Sequence, residues 1–228
     1  MLTLHTADTL VRGAGPVAGT PVPEGAVLVE GDRIAAVGPY RELAAAYPHA
    51  RVRRWPGLLV PGLAVRGGTA LLERAYWPDD PYELAELGPD PLTGPALAAL
   101  AMTESRWGNS ARRVGQKLLA RGVVAVEARL AIGAVRTAVG RSGLAVLEPG
   151  TLPAAAGPAP ADPRAALDPL AGLSDPGRLP EVFAGLLTPG TQARFAVFDV
   201  PDAAALLREG ATRCVATVIG GRLLHRRR

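Results

Sequence analysis

Three stretches of the chain carry residue types able to do chemistry, and each has a plainer structural reading beside it. The first is Arg66-Gly67-Gly68-Thr69. A glycine-rich turn can present backbone N–H groups to a phosphate or carboxylate if a helix starts there. This one lacks the lysine and the spacing of a P-loop, so the plainer reading is a flexible turn. The second is Glu127, which follows the apolar run Val123 to Val126, with Arg129 two residues on. A carboxylate at the carboxyl end of a parallel strand stands where α/β proteins place ligand-contacting residues. Paired with Arg129 it would instead be a surface ion pair. The third is the acidic stretch Glu73, Asp79, Asp80, Glu83 and Glu86. Two carboxylates can divide acid and base roles when burial separates their pKa values, whereas adjacent acids more often just face water.

Other chemistries find less support. Metal-assisted hydrolysis needs clustered imidazole, carboxylate or thiolate ligands with a position left for water. His5, His49 and His225 are scattered over a first strand, a loop after Pro48 and the tail, and read as structural or surface residues. No metal site is expected, and no cofactor. There is no Gly-x-Ser-x-Gly elbow, and Ser105, Ser110, Ser142 and Ser174 have no recognisable histidine partner. The single Cys214 lies in an apolar, strand-like run and reads as a buried, inert thiol.

The elements that would position these residues follow from the apolar pattern. Ala26 to Glu30 and Arg33 to Val37, joined by Gly31-Asp32, predict a β-hairpin. Arg41 to Ala46 predicts a short helix stopped by Pro48, and Leu58 to Val60 a strand ended by Pro61-Gly62. Prolines at 78, 81, 89, 91 and 95 break any long element between 63 and 105, with a helix expected over Pro95 to Met102. Ser110 is placed as the cap of a helix whose Ala111, Val114, Leu118 and Leu119 share one face, opposite Arg112, Arg113, Gln116 and Lys117. Gly122 ends it. A strand Val123 to Val126, a helix Leu130 to Val139 and a strand Leu144 to Leu147 make a parallel βαβ unit. Residues 148–181 are rich in proline, alanine and glycine, and too little side-chain bulk is present there to offset ordering entropy, which predicts a mobile connector. Val215 to Ile219, Gly220-Gly221 and Arg222 to His225 predict a closing hairpin.

Val27-Leu28-Val29-Glu30-Gly31-Asp32-Arg33-Ile34-Ala35-Ala36-Val37-Gly38 and Leu58-Leu59-Val60-Pro61-Gly62-Leu63 resemble the amino-terminal part of the amidohydrolase superfamily. Within it, the chain is most similar to the imidazolonepropionase and aminodeoxyfutalosine deaminase branch. Leu186 to Asp199 resembles the closing pattern of the same family, with Arg194 where the family usually has Asp. The resemblance implies an α/β fold: a composite β-sandwich built from both chain ends, residues 1–62 and 183–228, and a truncated (β/α) barrel remnant over 63–148, joined by a Pro/Ala-rich connector at 149–182. A full barrel needs ~250 residues by itself, more than the 228 present. The resemblance also implies hydrolysis of non-peptide carbon–nitrogen bonds by a divalent metal such as zinc, held in part by a His-x-His pair. Gly67 and Thr69 occupy those two positions. Neither replaces an imidazole, so the activity implied is expected to be impaired or absent. The alternative is a non-catalytic module for ligand binding or protein assembly.

Hydrophobic residues make up 48% of the chain and aromatic ones only 4%, which predicts a core of alanine, valine and leucine. No run reaches the ~20 apolar residues of a membrane span, and the amino terminus lacks the layout of a signal peptide, so a cytoplasmic protein is expected. The net charge of +4 is carried by arginine, with Lys117 the only lysine. Arg51, Arg53, Arg54 and Arg226-Arg227-Arg228 form clusters, but no aromatic residue interleaves with them in the sequence, and nucleic acid is not expected as a partner. A small-molecule ligand, or a second copy of the chain pairing along the strand edges of an incomplete barrel, is the partner expected.

Overall fold

The computed structural model describes residues 1–14, 19–153 and 162–227. The chain begins with β1 (Leu2–Thr6), β2 (Thr9–Leu10), β3 (Val22–Pro23), β4 (Gly25–Glu30), β5 (Arg33–Pro39), α1 (Tyr40–Ala46), β6 (Arg51–Arg54) and β7 (Leu58–Pro61). It continues through β8 (Leu63–Val65), α2 (Gly68–Glu73), β9 (Ala75–Tyr76), α3 (Pro81–Leu87), β10 (Leu92–Thr93), α4 (Gly94–Ala98), α5 (Glu104–Leu119), β11 (Val123–Glu127), α6 (Gly133–Ser142) and β12 (Ala145–Leu147). It ends with α7 (Pro163–Ala166), a 3-10 segment (Pro176–Val182), β13 (Arg194–Phe198), α8 (Ala203–Glu209), β14 (Cys214–Ile219) and β15 (Arg222–Arg226).

Strict alternation along a few short strands builds the layers. One sheet has the order β5-β4-β1-β6 and a second the order β15-β14-β13-β7-β2-β3, so the second sheet joins strands from both ends of the chain. Val27, Val29 and Ile34 of the first sheet meet Leu59, Phe195, Val197, Ala216 and Val218 of the second in an apolar core. Because successive side chains point to opposite faces, Leu58, Val60, Ala196 and Phe198 leave the second sheet on its other side and join the core of the α/β part, and a register shift between Cys214 and Ala216 turns Cys214 to that side as well. On the outer face of the first sheet, Leu4, Ala26 and Leu28 are covered by α1 through Tyr40, Leu43 and Ala44.

The α/β part is a three-stranded parallel sheet, β12-β11-β8, and no closed barrel is formed by the described residues. The expected βαβ unit is present as β11, α6 and β12, and β11 pairs with β12 in parallel register. α5 buries Ala111, Val114, Leu118 and Leu119, as its spacing requires. Its start is different from the expected one: Thr103 is the cap, its hydroxyl accepting from the Arg106 N–H at 3.2 Å. Ser110 is instead buried inside the helix, where its hydroxyl accepts from the Trp77 N–H at 3.0 Å. A serine at the head of an apolar stripe looks like a cap, but here it satisfies a buried donor of another segment. Likewise α6 begins at Gly133, not Leu130.

Part of the stretch read as a mobile connector is packed. Leu167, Leu170, Leu173, Leu179 and Val182 are buried in the α/β core, and Asp162 and Asp175 cap the short helical turns that carry them. Proline and alanine dominate the composition there, yet a few spaced leucines suffice to hold residues 162–182 on the core. Residues 154–161, also in that stretch, lie outside the described residues.

Arg194 bolts the sandwich to the parallel sheet. Its guanidinium donates to the Val124 carbonyl at 3.0 Å and the Gly143 carbonyl at 3.3 Å, while its Nε–H reaches Gln192 Oε1 at 2.6 Å. Val124 sits where the β11–β8 ladder steps out of register, which leaves its carbonyl turned towards Arg194. Burial lowers the arginine's pKa. The helices of the described residues include none long and apolar enough to cross a membrane.

Candidate functional site

The carboxyl ends of β8 and β11 are where an α/β sheet offers residues to a ligand, and two of the three stretches read from the sequence, Arg66 to Thr69 and Glu127 with Arg129, lie there. Pro61 closes β7, and Gly62 carries the chain into β8 in a single residue. β8 leads into Arg66, then into Gly67, whose φ of 69° and ψ of 22° require the left-handed conformation that glycine tolerates. Gly68 opens α2 against the end of β11: an added Cβ there would lie 3.0 Å from the Ala128 Cβ and 3.1 Å from the Glu127 carbonyl oxygen. The glycine pair thus serves close packing of two strand ends.

Thr69 completes that junction. Its hydroxyl donates to the Arg129 carbonyl at 3.1 Å and accepts from the Arg129 N–H at 2.9 Å. Four residues on, both oxygens of Glu73 accept from the chain leading into α6, Oε1 from the Ile132 N–H at 2.7 Å and Oε2 from the Ala131 N–H at 3.1 Å. Glu104 adds a third carboxylate contact, to the Ala134 N–H at 3.2 Å. The positive end of α6 is therefore satisfied by the protein's own anions. Thr69→Val removes a reciprocal pair of hydrogen bonds and keeps the shape. It is expected to lower stability by about 1–2 kcal/mol, measured as a shift of the denaturant midpoint at constant slope; an unshifted midpoint would mean the tie contributes nothing.

Glu127 ends β11, as expected, but Arg129 is not its partner. Glu127 Oε1 accepts from the Gly150 N–H at 2.9 Å and from the Leu152 N–H at 3.0 Å, anchoring the loop after β12. Arg129 approaches Glu148 instead, at 3.8 Å and with both side chains exposed, a pair of little energetic weight. The two residues were linked by their sequence separation, but the turn after β11 sends them to different loops.

The acidic stretch is dispersed into structural contacts. Asp79 pairs with Arg113 and stands 3.8 Å from Arg112, and Asp80 caps α3. Glu83 accepts from the Tyr76 hydroxyl and pairs with Arg106 at 3.3 Å. Burial and the bond to Glu83 push the Tyr76 hydroxyl up to about 12. No pair of carboxylates shares a cleft in the way acid–base division needs.

The histidines do not converge. His5 is buried between the two sandwich sheets with its Nδ1 accepting from the Trp55 indole N–H at 3.2 Å. Burial, and secondarily the charge of Arg53, bring its pKa down to about 3. His225 lies on β15, where burial is the main cause lowering its pKa. Among the described residues, no three His, Cys, Asp or Glu side chains group so as to hold a metal ion. A divalent metal of the kind the sequence resemblance implies does not fit the donors found here: Gly67 offers no side-chain donor, and the Thr69 hydroxyl is engaged with Arg129. Cys214 is buried too, its thiol pushed up to about 11 by burial. That suits an inert core thiol.

The sandwich end carries a short family match. Residues 25–50 match the bacterial imidazolonepropionase-like composite domain. They span β4, β5 and α1, the hairpin and helix at the outer sheet, and the match agrees with the amidohydrolase resemblance of the same residues. No curated protein matches the chain. Among solved structures, the chain is similar to guanine deaminase from Bradyrhizobium japonicum, with 16% identity, 64% of this chain and 34% of that one covered, and a TM-score of 0.46. For ochratoxinase of A. niger the figures are 20%, 64%, 30% and 0.43. For a Xanthomonas campestris adenosine deaminase with bound zinc they are 17%, 64%, 33% and 0.42. The chain thus spans about a third of the length of these structures.

The ties of Thr69 and Glu73 were not read from the sequence. Their partners are 60 and 59 residues away, and no local pattern announces a contact at that separation.

Proposed function

We propose that this chain is an amidohydrolase-like protein in which metal-dependent hydrolysis of carbon–nitrogen bonds has been lost, and in which the positions corresponding to metal ligands now serve the fold. The observation that carries this reading is the Thr69 hydroxyl, engaged with both the N–H and the carbonyl of Arg129. The use of Glu127 to anchor Gly150 and Leu152 supports it, since that carboxylate already has two donors to satisfy. The division into a sandwich of residues 1–62 and 183–228 and a barrel remnant of residues 63–148 belongs to the same proposal. Purified chain after dialysis is expected to hold no stoichiometric zinc or iron and to release no ammonia from imidazolone- or adenosine-like compounds. One retained metal per chain together with ammonia release would sink the reading.

A retained role in assembly is favoured by one feature. Among the described residues β12 has a neighbour on one side only, and Val146 on that strand is 48% exposed, the kind of edge that pairs with another chain. Light scattering is expected to show a dimer that Val146→Lys converts to monomer. A wild-type chain that stays monomeric at high concentration would remove this role.

A further inference from the structure

Arg226, from the arginine cluster at the end of the sequence, is folded back onto Trp55, the residue that follows the cluster Arg51, Arg53 and Arg54. β6 carries Arg51, Arg53 and Arg54 and is the outer strand of the four-stranded sheet, while β15 carries Arg226 and is the outer strand of the six-stranded sheet. The register of β6 with β1 sets Arg53 beside His5, whose ring stacks on Trp55 at a centroid distance of 6.2 Å. The Arg226 guanidinium lies over the same Trp55 ring, 6.0 Å from its centroid. Both sheets therefore bring cations to one open side of the sandwich, with an indole between them.

We propose that Arg53 and Arg226, flanking Trp55 at this open side, form a binding site for a phosphate group. Among the described residues no ion pair joins a carboxylate to Arg51, Arg53, Arg54, Arg226 or Arg227, whereas Arg41, Arg106 and Arg113 each have one and Arg213 has two. Arg54 donates to the Tyr40 hydroxyl at 2.7 Å and Arg227 to the Thr212 carbonyl at 3.3 Å, neither of which offsets charge. The charged groups acting on the two nearby histidines, after burial, are also arginines: Arg53 on His5 and Arg227 on His225. Arginines with no ion-paired carboxylate raise a local field that an anion relieves; Asp8 and Glu24, which line a cavity with Arg54 and Trp55, are engaged by the Gly57 N–H and by Arg41. The guanidinium fork matches phosphate geometry and can bind it through two parallel hydrogen bonds. Trp55 is already stacked on His5 and covered by Arg226, so the site recognises the phosphate rather than a base stacked on the ring. The phosphate can belong to a free phosphate ester or to the backbone of a nucleic-acid strand; Trp55 directly follows the first arginine cluster in the sequence, and the fold adds Arg226 to it.

Calorimetric titration of the full chain with pyrophosphate at low ionic strength tests this. Wild type is expected to bind it saturably at one site. Arg53→Ala or Arg226→Ala should weaken binding at least about tenfold, the loss of a charge-assisted hydrogen bond. Arg226→Lys keeps the charge without the fork and should weaken it as well. Arg141→Ala, on α6, which packs in the α/β core and not in the inter-sheet core that holds Trp55, should leave it unchanged, and thermal melting confirms that each variant is folded. No saturable binding, or an equal loss in Arg141→Ala, overturns the site. A second titration uses a single-stranded oligonucleotide lacking terminal phosphates. Binding that pyrophosphate displaces assigns the backbone source; pyrophosphate binding alone assigns a free phosphate ester. The test is independent of the hydrolase reading, because it involves neither the parallel sheet nor a metal.

Discussion

Gly62→Ala is expected to lower stability by about 3 kcal/mol, at the upper end of overpacking costs, read as a fall in the denaturant midpoint with the slope unchanged. Gly62 is the one residue between β7 of the sandwich and β8 of the parallel sheet. A Cβ there would stand 2.4 Å from both methyl groups of Val124 and 2.9 Å from its Cβ. Val124 is fully buried, and its carbonyl is held by Arg194, so it cannot withdraw. The Gly62 backbone is fixed as well, its N–H donating to the Arg194 carbonyl at 3.1 Å and its carbonyl accepting from Ala184 at 2.8 Å. In a Val124→Ala background, where the two methyls are gone, the same substitution should cost clearly less, because residues in contact are not additive. Equal costs in both backgrounds would mean that something other than this collision makes glycine necessary.

His5 should make the protein acid-sensitive. Its imidazole is 2% exposed, meets the Phe195 ring edge-on at 4.9 Å, and is brought from 6.5 to about 3 by burial and then by Arg53. Because the folded pKa is depressed, the unfolded chain binds the extra proton between the two values, and stability rises with pH across that window. The contribution is fully present above pH 6.5 and is lost as pH falls towards 3. At pH 5 the loss amounts to about 2 kcal/mol relative to pH 7.5. His5→Gln retains an oxygen able to accept the Trp55 indole N–H and has nothing to titrate. Denaturation curves for both proteins from pH 7.5 to pH 5 should show wild type losing that amount more than the variant. Parallel profiles would show that His5 is not the group responsible.

Legibility followed the range of the interactions. The hairpin over Ala26 to Val37, the β11–α6–β12 unit and the closing hairpin could be read from the sequence, because turn chemistry and apolar period are local properties. The strand Leu63–Val65 before Gly67 and Thr69 was not legible, but the positions of Glu127 and Arg129, at and beyond the end of a parallel strand, could be read for the same reason. Where their side chains go could not. Glu127 turns to Gly150 and Leu152, and Arg129 to Glu148, because the loops after β11 and β12 set those distances. The packed leucines of residues 162–182 were hidden by their composition, since proline and alanine lower the average while a few spaced side chains do the burying.

By itself the sequence determined the alternating strands, the amphipathic face Ala111, Val114, Leu118 and Leu119 of one helix though not where that helix starts, and the lack of imidazoles at positions 67 and 69. Only the tertiary structure decided that β13 pairs with β7 where the two chain ends meet, that Thr69 locks onto Arg129, and that Arg226 reaches the indole next to Arg53 and Arg54. The reason is physical: period and turn preference act over a few residues. Charge clustering and polar satisfaction depend instead on which distant segments the buried apolar faces bring together.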